Sequence, residues 1–278
     1  MRCAVVIPVY NEAVHLDQVI QSFVTQTQPF DQIILVDDGS SDNSLIIMKK
    51  WAQKHPWIQV LPAQANTVHE PGAKVIQAFY RGHAHIDPDV DLIGKFDADI
   101  ILPKNYLERL KKAFHDDPQL GLASGHLYIK KNNAWVYESL AKTDKVRGPI
   151  KLYRKICFEE IGGLCPCLGW DSIDQWLSLY NRWNVKTFTD LKVKHLKITG
   201  QAYKAGILKN QGIAFAHMGY GLILTTLSLA KLAIYHKQPK IIYFGFITYW
   251  QNRMNVKVSK PVIKFIRSQL WSRIFNNL

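Results

Sequence analysis

Acid is what this chain runs out of. None of its 22 Asp and Glu residues lies beyond Asp190, whereas 14 of its 35 Lys and Arg residues do. The formal charge of +13 is therefore carried by the last third of the chain, and the first 190 residues are close to neutral. Charge placed this way implies an anionic partner for the tail, a membrane surface or a nucleic acid, and says little about the front. Cysteine is scarce as well: Cys3, Cys157, Cys165 and Cys167 are too few for a disulfide scaffold in 278 residues. Cys165-Pro166-Cys167 would make half of a zinc site, but no second pair follows at finger spacing, so packing is the expected role. The phosphate-binding glycines are missing too. Neither G-x-G-x-x-G nor G-x-x-x-x-G-K-[ST] follows the first apolar run, which argues against a dinucleotide dehydrogenase and a P-loop NTPase. No cleavable leader is recognisable ahead of that run, so a reducing, cytoplasmic setting is expected.

With 47% hydrophobic residues, the chain is equipped to bury a sizeable core. Residues 3–9 and 32–36 are short apolar runs rich in β-branched side chains, as in strands buried on both faces of a parallel sheet. Leu16, Val19, Ile20 and Phe23 lie at helical spacing between them. A third strand is expected near 58–61, a loop followed by a helix over 70–78, and an apolar strand from Leu92 that ends at Asp97-Ala98-Asp99. An amphipathic helix through Tyr106, Leu107, Leu110 and Phe114 comes next, then an apolar region over 120–129. Strands alternating with helices predict a doubly wound α/β sheet. Ligands in such sheets sit beyond the carboxyl ends of the strands, where Pro8-Val9-Tyr10, Asp37-Asp38 and Asp97-Ala98-Asp99 all fall.

In an extended strand Asp97 and Asp99 would share a face. Two like charges crowded there repel, so the pair suits a hard cation and, through it, a phosphate; the competing reading is an ordinary strand-ending turn. Lys74, about one turn into its helix, is either a further cation for the same place or an ordinary solvated lysine.

Ile7-Pro8-Val9-Tyr10-Asn11-Glu12, Val36-Asp37-Asp38-Gly39-Ser40-Ser41-Asp42 and Phe96-Asp97-Ala98-Asp99, in this order and spacing, resemble the family 2 glycosyltransferases with their GT-A fold. The segments 147–154 and 158–163 resemble the acceptor side of that family. The resemblance implies a catalytic domain over 1–200, with a nucleotide-sugar half to about 102 and an acceptor half after it, and a helical extension over 201–278. It implies transfer of a sugar, with inversion, from a UDP- or GDP-type donor to a hydroxyl of a glycan or lipid-linked acceptor. Pro8, Tyr10, Glu12, Asp38 and Lys74 would surround the nucleotide. Asp97 and Asp99 would handle ribose and a Mn²⁺ or Mg²⁺ ion, with His195 matching a position that completes the metal site in several relatives. Trp170-Asp171 stands where the commoner pattern is Glu-Asp. Asp171 is the expected general base and Asp174 the alternative, since Asp174 is read as opening the following helix and serving its positive end. Two rival functions remain open: a nucleotidyl transferase, and a nucleotide-binding membrane adaptor without turnover.

The tail is basic and apolar together. Residues 212–230 hold no Lys, Arg, Asp or Glu, close to the ~20 residues a bilayer span needs, although Gly219 and Gly221 interrupt them. The stretch 241–250 is too short to span, and 261–275 is amphipathic, with Val262, Phe265, Ile266, Leu270 and Ile274 along one side. The expectation is a peripheral or monotopic attachment to the cytoplasmic face of an anionic membrane. A spanning 212–230 segment, a homodimer contact and a nucleic-acid surface are the alternatives.

Overall fold

The computed structural model describes residues 1–64, 73–138, 145–197 and 204–276, the side chains of 204–209 excepted. The expected loop through Asn66 and Glu70-Pro71-Gly72, and a domain boundary near residue 200, lie outside these residues. Two compact units emerge: Met1–His69 with Lys74–Gly163 and Asn181–Ile198, and Leu164–Tyr180 with Thr199–Leu278 and Glu70–Ala73. The stretch Leu164–Tyr180 thus groups with the C-terminal helices, although the sequence places it before residue 200.

The first unit runs β1 (Cys3–Val9), α1 (Leu16–Val24), β2 (Gln32–Asp37), α2 (Ser44–Lys54), β3 (Ile58–Leu61), α3 (Lys74–His83), β4 (Leu92–Phe96), β5 (Ile100–Ile101) and α4 (Tyr106–Asp116). It continues through β6 (Leu120–Lys131), β7 (Ala134–Tyr137), β8 (Ile150–Arg154) and α5 (Lys155–Glu160), and it returns after the intervening α6 (Trp170–Tyr180) with β9 (Asn184–His195). The sheet order is β3-β2-β1-β4-β8-β6-β9-β5, with β7 on β6. The first four strands are parallel, as their continuous apolar runs require: every residue of β4 is buried, and β1 is buried throughout except at half-buried Pro8. Beyond β4 the sheet is mixed, with β8 antiparallel to β4 and β6, and β9 parallel to β6. The expected α/β architecture with a GT-A-like sheet and a C-terminal helical region is what the chain adopts. One core fills the space between the sheet, α1 and α4, built from residues such as Phe23, Phe96, Tyr106 and Phe114.

The second unit holds α6, α7 (Lys204–His217), α8 (Leu222–His236), α9 (Lys240–Asn252) and α10 (Lys260–Phe275) around its own core of Ile173, Trp176, Phe215, Leu229, Tyr249 and Ile266. The apolar stretch 212–230 is not one helix. It breaks at Gly219, which adopts φ +69°, a left-handed conformation that favours glycine and ends α7. No helix among the described residues is long and apolar enough to cross a membrane. α7 and α9 pack at Gly212, where an added Cβ would lie 1.9 Å from the Gly245 carbonyl oxygen. The amphipathic α10 spends its apolar side inside the unit: Val262 and Ile266 are buried, and the Phe265 ring packs edge-on against Trp176 and Tyr180.

Candidate functional site

The loops after β1 and β2 are laced into one unit. Asn11, at φ 53°, donates its N–H to Ser40 Oγ (3.1 Å) and accepts Ser41 N–H on Oδ1 (2.8 Å). Glu12 N–H donates to Ser44 Oγ (2.9 Å) and Ala13 N–H to Asp42 Oδ2 (3.0 Å). The serines and the last aspartate of the second motif therefore hold the first motif in place, and Asp38 is left at the end of β2, its N–H on the Val9 carbonyl at 2.8 Å. Lys74, the first residue of α3, places Nζ 3.3 Å from Asp38 Oδ2 and 3.2 Å from the Asp38 carbonyl oxygen, 4.5 Å above the ring of Tyr10. Three predicted residues, Tyr10, Asp38 and Lys74, thus come together; Lys74 is not a free solvated side chain. Pro8 lies one strand residue earlier, in register with Val36.

The two carboxylates after β4 do not share a strand face. The chain turns between Phe96 and Ile100, and each carboxylate goes to its own partner. Asp97 receives a hydrogen bond from the ammonium of Lys95, a side chain only 2% exposed, while its backbone N–H donates to the Pro149 carbonyl oxygen at 3.0 Å. Asp99 turns to His195: Oδ2 lies 3.5 Å from Nε2. The short pairing of β5 with β9 makes this meeting, with Ile100 opposite His195 and Leu196 N–H donating to the Asp99 carbonyl oxygen at 2.8 Å.

Behind His195 stands Glu138, a residue that sequence reasoning missed. Its side chain is 1% exposed, with Oε2 3.4 Å from His195 Nδ1 and 3.6 Å from Arg147 Nη2. Burial disfavours a charged imidazole, but the hydrogen bonds and charges of Asp99 and Glu138 outweigh it and push the His195 pKa up to about 9. A second carboxylate orienting a ring whose other nitrogen faces a ligand position is how proteins fix histidine tautomers. Lys95 and Lys197 were also missed. Lys197, two residues past His195, binds Glu12 at 2.5 Å. No motif marks Glu138 or Lys197, because each acts through a partner far away in sequence, and Lys95, only two residues before Asp97, sits inside an apolar strand with nothing to single it out.

These residues fit a cation. Asp99 Oδ1 and Glu12 Oε2 are buried without a hydrogen-bond donor among the described residues, a costly condition for carboxylate oxygens. Burial raises the Glu12 pKa, Lys197 works against that rise, and the charges of Asp99 and Asp97 add to it. No three His, Cys, Asp or Glu side chains among the described residues are arranged to hold a metal ion. Mg²⁺-like ions beside phosphates are commonly held by only one or two carboxylates, with phosphate oxygens and water completing the shell, and Asp99 is a carboxylate that could serve in that way. The Cys165-Pro166-Cys167 segment makes no such cluster either, and Cys167 is packed in the second core.

Asp171 and Asp174 belong to the second unit. The helix carrying them starts at Trp170, not at Asp174 as expected, so Asp171 occupies its first turn while Asp174 is buried one turn further in. The helix-end argument for setting Asp174 aside therefore applies to Asp171 instead. Accessibility now separates them: Asp171 is half-buried and Asp174 is 1% exposed.

The sequence pattern of the family described as Glycosyl transferase family 2 matches residues 4–170, more than half of the chain. Among curated proteins, the chain is 30% identical over 119 residues to the uncharacterized glycosyltransferase YibD of Escherichia coli, covering 42% of this chain and 31% of that one. It is 29% identical over 175 residues to the hyaluronan synthase of Streptococcus pyogenes, 55% of this chain and 41% of that one. The chain thus spans less than half the length of these relatives. Among solved structures, the mannosyltransferase PcManGT from Pyrobaculum calidifontis, in complex with GDP-Man and Mn²⁺, superposes with a TM-score of 0.60 at 15% identity, over 98% of this chain and 80% of that one. The S. aureus TarS fragment 1–349 with UDP-GlcNAc does so with a TM-score of 0.56 at 18% identity, over 80% of this chain and 68% of that one. At these identities the likeness is one of fold.

Proposed function

Because the chain belongs to glycosyl transferase family 2, we propose that it transfers a sugar, with inversion, from a nucleoside diphosphate to a hydroxyl of a glycan or lipid-linked acceptor. The observation that carries this reading is Asp99: a carboxylate beside His195, which Glu138 holds from its other nitrogen, with one oxygen buried and without a donor among the described residues, at the carboxyl end of a parallel strand. Asp38 and Asp97 take the ribose hydroxyls, Tyr10 offers an exposed ring to the base, and Lys74 and Pro8 line the same place. Asp99 and His195 hold Mn²⁺ or Mg²⁺, with Asp97 and Glu12 beside them. When bound, that ion offsets the negative charge of the departing diphosphate.

Lys95 fixes Asp97 from below, and Glu138 fixes His195, so neither must reorganise as charge develops. Asp171 removes the proton from the acceptor oxygen as that oxygen bonds to the anomeric carbon and the bond to diphosphate breaks. Asp174 is the alternative base. A donor of the UDP or GDP type is in keeping with the GDP-Man and UDP-GlcNAc bound by the proteins of similar fold. The acid-free tail suits work at the cytoplasmic face of a membrane, where lipid-linked acceptors are found.

Thermal-shift measurements against UDP, GDP and their sugars, with and without Mn²⁺, test the donor side, since a ligand at about 100 times its Kd stabilises by about 2.7 kcal/mol. Asp171→Asn should lose roughly 10²–10⁴-fold in turnover and keep nucleotide binding. Near-normal turnover of that variant would pass the role to Asp174. Release of nucleoside diphosphate marks glycosyl transfer and release of pyrophosphate a nucleotidyl transferase. Saturable nucleotide binding with neither product would leave the adaptor reading.

A further inference from the structure

Two helices of the second unit, α8 and α9, are apolar on the outside as well as the inside. On α8 the inward residues Leu224, Leu229 and Ala233 are buried, yet Ile223, Leu227 and Ile234 are 66%, 45% and 80% exposed. On α9, Ile241, Gly245 and Tyr249 face inward, while Tyr243, Phe246 and Trp250 are 66%, 36% and 47% exposed. The outward residues repeat at helical spacing, so each helix presents one apolar face to solvent. A helix that is apolar all round belongs in a core or in lipid. At 15 and 13 residues, α8 and α9 are shorter than the ~20 needed to span, and a Lys237-Gln238-Pro239 turn joins them.

Charge identifies the occupant. Lys231, Lys237, Lys240 and Arg253 are exposed on and around the hairpin, Arg253 lying 3.9 Å over the Trp250 ring, and no acidic residue occurs anywhere from 191 to 278. A second copy docked by two-fold symmetry would set lysine-bearing faces against one another with no carboxylate between them. Nucleic acid would leave Ile223, Leu227 and Ile234 without a partner. We infer that the α8–α9 hairpin is a lipid-docking element, whose outer aliphatic and aromatic side chains enter the headgroup layer of an anionic bilayer while its lysines contact lipid phosphates. Within the tail that the sequence assigns as a whole to a membrane surface, the amphipathic segment 261–275 does not supply this face, because α10 has already used its apolar side on α6.

This inference rests on the membrane-surface part of the functional reading and needs no turnover for its test. The full chain is sedimented with vesicles of phosphatidylcholine containing about a third phosphatidylglycerol, and with phosphatidylcholine alone. The expected result is roughly tenfold tighter binding to the anionic vesicles, weakened by salt. The combined variant Ile223→Ser, Leu227→Ser, Phe246→Ser, Trp250→Ser should lose roughly tenfold or more in vesicle binding while keeping wild-type nucleotide binding. Lys237→Glu with Lys240→Glu, at an exposed turn, should erase most of the anionic preference and serves as the readout if the apolar variant fails to fold. The inference is overturned if the wild type stays in the supernatant, if both variants sediment as it does, or if light scattering finds a dimer that the apolar variant dissociates while vesicles bind neither form. Nucleotide binding in the same samples keeps the two readings apart. Vesicle binding without nucleotide uptake would sink the donor-site reading and leave this one standing.

Discussion

β4 and α8 are both apolar, and they use it differently. All five residues of β4 are buried, including Lys95, so the strand disappears into the sheet and leaves only its carboxyl end to do chemistry. In α8 the large side chains divide between a buried face and an exposed one. The first unit buries its apolar surface and keeps its polar oddities, a lysine, a histidine and a glutamate, inside around a site. The second leaves apolar surface outside on α8 and α9, in the stretch after Asp190 that has no acid. Polar groups retained in a core and apolar groups retained on a surface both cost stability, so each marks a place where function overrides folding.

That contrast can be broken most directly at Asp99. Asp99→Asn keeps the shape and removes the charge, and turnover followed by nucleoside diphosphate release should fall by roughly 10²–10³-fold with the fold intact. An active variant would mean that the buried carboxylate serves structure alone. In the second unit the analogous weak point is a contact between backbones. Gly212→Val would drive a side chain into the Gly245 carbonyl, and urea unfolding should show a loss of roughly 1–3 kcal/mol or more. If stability is unchanged, α7 and α9 do not rely on that approach. The smallest effect is expected in the sheet core. Tyr106 accepts the Gly125 N–H at 3.1 Å, and Tyr106→Phe would leave that donor buried and unpaired, for roughly 1 kcal/mol in the same unfolding assay.

Much of the first unit was legible before any coordinates. Apolar runs of strand length, helices at three-and-four spacing and motifs at strand ends are local signals, and the structure places Tyr10, Asp38 and Lys74 together where the topology said ligands belong. At Asp97 and Asp99 the shared strand face gave way to the competing reading, a turn, which sends the carboxylates to Lys95 and His195. It also missed Glu138, because a lone glutamate after a strand carries no mark of the histidine 57 residues away.

The sequence by itself determined the strands β1 to β4 and the helices α1 and α4 beside them, where the acid ends, and which residues stand at those strand termini, since these follow from side-chain chemistry within a few residues. Only the tertiary structure decided which carboxylate meets the histidine, where the helix bearing Asp171 begins, and which apolar helix faces stay uncovered. Those outcomes depend on pairings between distant segments, such as β5 on β9 and α10 on α6, and such competition for partners is settled only when the whole chain is packed.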